Sequence, residues 1–185
     1  MKLRDLYASV IEVGIAHDLR GRDEIDRVLG EEKAKFEKLP AEDREYFDGD
    51  RLFNPFSDTR VLFGDPETEI TKAIIGIDME EGEVLLTYLL NKDLGHRIDL
   101  IIAHHPEGYA LSRLFDVMKL QAELLANCGI TVSVAEKLME KRISEIERRL
   151  MPVNHNRAVD VAKLLGLPLM CIHTAADNCV SHYLK

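Results

Sequence analysis

Two short runs of this chain, Leu100-Ile101-Ile102-Ala103 and Leu167-Pro168-Leu169-Met170-Cys171-Ile172, are apolar almost without interruption and then stop at polar groups. A continuous apolar run of this length reads as a strand buried on both faces. The first run ends in His104-His105-Pro106 and the second in His173-Thr174-Ala175-Ala176-Asp177. A fold that buries such strands needs helices against both faces of a sheet, and the sequence between the runs supplies helical patterns.

From Thr71 onward strand-like and helix-like segments alternate. Lys72 to Asp78 reads as a strand ending in a carboxylate, and Glu81 to Leu90 as a helix with Val84, Leu85, Tyr88 and Leu89 on one side. Ile98 to Ala103 is the next strand, and Leu111 to Asn127 a long helix closed by Cys128-Gly129. Ile130-Thr131-Val132-Ser133-Val134 is rich in β-branched residues and reads as a strand. A charged helix follows from Ala135 to Leu150, and another from His155 to Leu165 that Asn154 can cap and Gly166 closes. Leu167 to Ile172 is the last strand. The alternation implies βαβ units, hence an α/β fold with a mostly parallel sheet flanked by helices.

Residues 1–65 differ. Leu3, Leu6, Tyr7, Val10 and Val13 have helical spacing, and that helix is expected to end near Leu19-Arg20-Gly21. A charged helix runs from about Asp23 to Leu39, closed by Pro40, and Asp48 to Phe56 reads as loop. The expectation is an N-terminal helical extension over 1–65 and an α/β metal-binding domain over 66–185.

Composition narrows the function. With 185 residues the chain can bury one sizeable core. A net charge of −9 opposes nonspecific nucleic-acid binding, which needs clustered cations. No apolar stretch is long enough for a bilayer, and Met1-Lys2-Leu3-Arg4-Asp5 leads into no apolar signal core. Three cysteines without a CxxC pair indicate neither a disulfide framework nor a zinc knuckle. A cytoplasmic protein with reduced thiols is expected.

The chemistry concentrates at the strand ends, where open α/β sheets bind their ligands. His104, His105, His173 and Asp177 offer imidazole and carboxylate, a donor set suited to Zn, Fe, Mn, Co or Ni. Adjacent histidines project differently, so each can serve one of two neighbouring ions, with Asp177 bridging them. A helical turn after Thr174 puts His173 and Asp177 on one face. Asp78 can partner a ligand or cap the next helix, and the cap is preferred. Glu107 is a base or a solvated loop charge. His155 is an anion contact or part of ordinary capping, with capping favoured. His182 reads as surface, and His17 and His96 have no supporting context. No Walker loop, GxGxxG or GxSxG occurs.

At these residues the sequence resembles a known family. Ile101-Ile102-Ala103-His104-His105-Pro106 is similar to the SHHP signature of the Nif-three (Ngg-one-interacting factor three) family, and His173-Thr174-Ala175-Ala176-Asp177 to its HTxxD signature. The resemblance spans Thr71 to Lys185. It implies an α/β fold, a dinuclear site of divalent metal ions and a toroidal homo-oligomer. Members are often labelled type-two GTP cyclohydrolase-like. His104, His105 and Asp177 match family metal ligands, and His173 the motif histidine, as a close neighbour or further ligand. Members draw a further His and commonly a Glu from a C-terminal half. The chain is therefore expected to be the N-terminal part of a longer pattern, or to substitute Glu107, His155 or His182. Three functions follow as expectations. One is a metal-dependent hydrolase acting on a small molecule such as a purine nucleotide. Another is a non-catalytic metal-binding or regulatory assembly protein. The last is an α/β domain with surface histidines. The sequence assigns no catalytic or substrate-binding residue.

Overall fold

The computed structural model describes residues 1–127 and 129–185; the Cys128 part of the expected helix stop lies outside the described residues. The chain runs α1 (Leu3–Ala16), α2 (Arg22–Lys38), β1 (Arg60–Phe63), β2 (Ala73–Gly76), α3 (Glu81–Asp93), β3 (Leu100–Ala103), α4 (Gly108–Ser112), α5 (Leu114–Asn127), α6 (Val132–Leu150), α7 (Arg157–Leu165), β4 (Leu169–Cys171) and α8 (Thr174–Leu184). No helix among the described residues is long and apolar enough to cross a membrane.

The four strands form one sheet in the order β1-β4-β3-β2. β2 pairs with β3 and β3 with β4 in parallel, whereas β1 is antiparallel to β4. Every residue of β3 and β4 is buried. Successive side chains enter opposite cores, as the two-residue period of a strand requires. Ile101, Ala103, Leu169 and Cys171 pack with Val84 of α3 and Ala158, Val159 and Ala162 of α7. Leu100, Ile102 and Met170 face the other way, against Leu3, Tyr7, Ile11 and Ile15 of α1 and Ala175 of α8. The result is a mixed sheet flanked by helices on both faces. Burial pushes the Cys171 thiol up to about 12, so it packs as a protonated apolar group.

Several expectations are corrected. Ile130–Val134 is not a strand: α6 starts at Val132 and packs along α5 as a helical hairpin. Here the amphipathic pattern of the whole segment overrides local β propensity. The long helix expected from Leu111 is two, broken at Arg113 between α4 and α5. α1 stops at Ala16, short of Gly21, which instead adopts φ 87° ahead of α2. The loop expected after Asp48 contains a 3-10 turn, Gly49–Leu52. α7 starts at Arg157 rather than His155, and Asn154 accepts from the Asn156 amide at 3.2 Å without capping the helix.

A further difference lies within residues 1–65, where Arg60–Phe63 supplies β1 to the sheet. Arg60 is buried because it pairs with Asp48 and Asp50 and lies 4.7 Å over the Tyr109 ring.

α1 and α8 approach closely at Gly14. A Cβ there would lie 2.6 Å from the Ala175 Cβ and 2.9 Å from the Phe56 ring. Gly30, in α2, has nothing within 4 Å. Gly14→Ala should therefore destabilise the fold by about 1–3 kcal/mol through overpacking, despite alanine's better helix propensity. Gly30→Ala should stabilise it by about 0.5–1 kcal/mol. Urea unfolding followed by circular dichroism reads both, and equal signs would contradict the packing described.

Candidate metal centre

The parallel pairing continues past the formal strand ends and fixes the loop that carries the adjacent histidines. The His104 amide donates to Gly76 O at 2.9 Å and the His105 amide to Ile77 O at 2.8 Å. The Ile172 amide donates to Ala103 O at 2.9 Å, which holds the two histidine-bearing strand ends side by side. His173 then occupies the N-cap position of α8, and Asp177 lies one turn further on.

The three imidazoles converge. Ring centroids are 5.4 Å apart for His104 and His105, 4.9 Å for His104 and His173, and 6.0 Å for His105 and His173. One ligand nitrogen from each lies within 4.8 Å of those of the other two.

Each ring is held by its Nδ1. His104 Nδ1 is 3.1 Å from Ile172 O, His105 Nδ1 2.7 Å from Asp78 Oδ1, and His173 Nδ1 2.8 Å from Asp58 Oδ2. With Nδ1 donating, Nε2 keeps its lone pair for a ligand, the arrangement by which metal-binding histidines are oriented. Asp177 faces two of the rings with separate oxygens. Oδ1 is 3.6 Å from His104 Nε2, and Oδ2 is 3.9 Å from His173 Nε2. The donors are imidazole and carboxylate without thiolate, which fits the first-row divalent metals.

The orienting carboxylates differ in burial. Asp58 is fully buried and also accepts from the Thr174 hydroxyl at 2.6 Å and the Thr174 amide at 3.3 Å. Its hydrogen bond and charge hold the His173 pKa above the ordinary value, against the opposing effect of burial, with Asp177 adding to the rise. Asp78, by contrast, is 65% exposed. It does not cap α3, a correction to the preferred expectation. Glu80 is the N-cap, in a capping box with Glu83. The isolated aspartate at a strand end gave no basis for choosing between the two roles.

Of the expected substitutes, Glu107 follows the histidine loop as the residue before α4. Burial first, then the Glu80 carboxylate, pushes its pKa up to about 7, with Arg157 opposing. His155 has a buried Nε2 without a hydrogen-bond partner, and its carbonyl accepts from the Gly108 amide at 2.8 Å. His182 packs against His17 at a centroid distance of 4.7 Å, within a pair outside the three-histidine group. Sequence reasoning missed Asp58, which lies in the segment leading into β1, read from sequence as part of the helical extension.

No family model matches the sequence, and no curated protein matches it. The structure is similar to the crystal structure of a NIF3 superfamily protein from Sphaerobacter thermophilus, with a TM-score of 0.58 at 22% identity. The match covers 90% of this chain and 46% of that one, so the chain spans about half the length of its structural neighbour. The chain therefore shares the fold of that NIF3 superfamily protein.

The difference in burial between Asp58 and Asp78 has a measurable consequence. Asp58→Ala leaves the His173 ring and the Thr174 hydroxyl without their acceptor inside the protein, and should cost about 2 kcal/mol or more. Asp78→Ala removes an exposed contact and should cost less than about 1 kcal/mol. Thermal unfolding of the two variants tests the contrast; similar losses would remove Asp58 from its anchoring role.

Proposed function

We propose that the chain is a metal-dependent hydrolase-like protein whose His104, His105, His173 and Asp177 hold divalent metal. The observation that carries this reading is the convergence of the three imidazoles, one ligand nitrogen from each within 4.8 Å of the others, with each ring anchored through Nδ1. Surface histidines have no physical reason to adopt one tautomer around a common point. Zn, Fe, Mn, Co and Ni all accept imidazole and carboxylate donors. A bound divalent ion supplies Lewis acidity and lowers the pKa of a coordinated water.

The chain's own residues would do the rest. Ile172 O, Asp78 and Asp58 orient the rings. Asp177, about half exposed, presents two oxygens to two different imidazoles, and this supports a second ion bridged by the carboxylate. Glu107, with a pKa near neutrality, is suited to exchange a proton at working pH. A small molecule such as a nucleotide is the proposed substrate. The alternative is a metal-binding or regulatory assembly protein without turnover.

Metal content of the full chain, measured by elemental analysis after loading with Zn, Mn or Fe(II), tests the reading. One or two ions per chain are expected, with affinity reduced about 100-fold or more in His104→Ala and Asp177→Ala. No ion in any form would end the proposal. The number retained distinguishes a mononuclear from a dinuclear centre. Purine-nucleotide and phosphoester hydrolysis by the loaded protein, abolished in Asp177→Ala, is the outcome expected of an enzyme. Full loading without turnover would favour the alternative.

We also propose self-association through β2. This strand is a sheet edge, and Ile75 and Ile77 are 70% and 61% exposed on the face that Ala73 and Ile102 share with α1. An open apolar edge is a template for pairing with another copy. Sedimentation should give a multiple of the 21.0 kDa chain mass, falling toward one chain in Ile75→Lys. A monomeric parent protein would contradict it.

A further inference from the structure

A recess whose lining includes Thr174, the residue after His173, contains none of the three clustered histidines. It is a cleft of about 220 Å³ between the Gly49–Leu52 turn and the α4–α5 junction. Its lining carries five cationic side chains against four carboxylates, a local surplus of positive charge in a chain whose net charge is −9.

Each carboxylate on this wall lies in an ion pair with a cation of the chain. Asp48 takes Arg60, Glu123 takes Arg20, and Asp116 takes Arg113. Glu32, mostly buried, accepts from Lys35 at 2.6 Å on one oxygen, and its other oxygen lies 3.0 Å from an Arg51 nitrogen as an ion pair without a hydrogen bond among the described residues. The guanidiniums are not all matched. Arg51 commits one nitrogen to Glu32, and Arg113 one nitrogen to Asp116, although each group has five N–H donors. Both are partly exposed at 40% and 33%, and they come from different walls of the cleft. Tyr109 and Phe56 add aromatic surface.

We propose that this cleft binds a small molecule through a phosphate or carboxylate group held by Arg51 and Arg113. Guanidinium is the side chain best suited to such groups, because its planar donors engage two oxygens at once. The volume is below the roughly 300–1,000 Å³ of sites for drug-sized ligands, which limits the occupant to the anionic group and a short attached skeleton. The cleft's own donors define this site, and it does not rest on metal binding by the histidines.

Calorimetric titration of the full chain with inorganic phosphate and, separately, malonate tests the proposal. Saturable binding is expected, weakened about tenfold by Arg51→Gln and by Arg113→Gln, with loss of a charge-assisted pair in each. Arg51→Lys, which keeps a cation opposite Glu32, should bind more weakly than the parent while matching its circular dichroism and melting. The preferred probe identifies phosphate or carboxylate as the recognised group. His104→Ala should leave the titration unchanged. No saturable binding, or equal binding by the two Gln variants and the parent, would overturn the proposal. Binding lost in His104→Ala would overturn it as well, because the anion would then sit at the histidine cluster.

Discussion

The geometry of the site depends on one buried charge. Asp58 sits just before β1, fully out of solvent, where an unpaired carboxylate would be prohibitively costly. Its carboxylate partners come chiefly from the turn after β4: the His173 ring, the Thr174 hydroxyl and the Thr174 amide. Thr59 reinforces the contact, accepting from the His173 amide at 3.1 Å. This set of bonds joins segments more than 100 residues apart. It fixes the start of α8, sets the tautomer of His173 and carries Asp177 round to face His104. Removing one partner of such a pair costs more than the pair contributes, because the other is left buried and unsatisfied.

The sheet provides the platform for that turn. The central strands are covered on both faces, so they hold the histidine loops rigidly at their carboxyl ends. The antiparallel β1 runs the other way, and the segment before it therefore arrives at the same end of the sheet as the loops after β3 and β4. That direction reversal is why a carboxylate from residue 58 can reach an imidazole at residue 173. A parallel β1 would have put its leading segment at the opposite end.

Local sequence reveals features that depend on local patterning. β3 and β4 were legible because their apolar runs have no alternation, and the histidines at their ends were legible as groups that would converge because strand ends converge in this class of sheet. β1 was not, since it begins with a charged residue. Arg60 is tolerated in the sheet only through Asp48, Asp50 and the Tyr109 ring, none of which its immediate sequence announces. Ile130–Val134 misled for the opposite reason. Its β-branched composition is local, whereas packing against α5 decides its state. Asp58 was not anticipated, and Asp78 was weighed as a ligand's partner but read as a cap, because hydrogen bonding across 115 and 27 residues is a property of the fold.

The spacing around Asp177 bears on what the cluster is built to hold. Direct hydrogen bonds between imidazole and carboxylate fall near 2.7–3.2 Å, as the Asp58 and Asp78 contacts do. Asp177 stands 3.6 and 3.9 Å from its two Nε2 neighbours, beyond that range. Two donors bound to one ion at about 2.0–2.2 Å each are separated by roughly 3–4 Å when the angle between them is tetrahedral or somewhat wider. His104 and His173 thus show close contacts on the Nδ1 side, where the partner is a hydrogen-bond acceptor, and wider ones on the Nε2 side, where the partner is the Asp177 carboxylate. A site meant only to pair His104 with Asp177 would gain by closing that gap, since Asp177 is exposed enough to move. The wider spacing is the one the proposed metal reading requires of Asp177, with the orienting bonds behind the two imidazoles already formed.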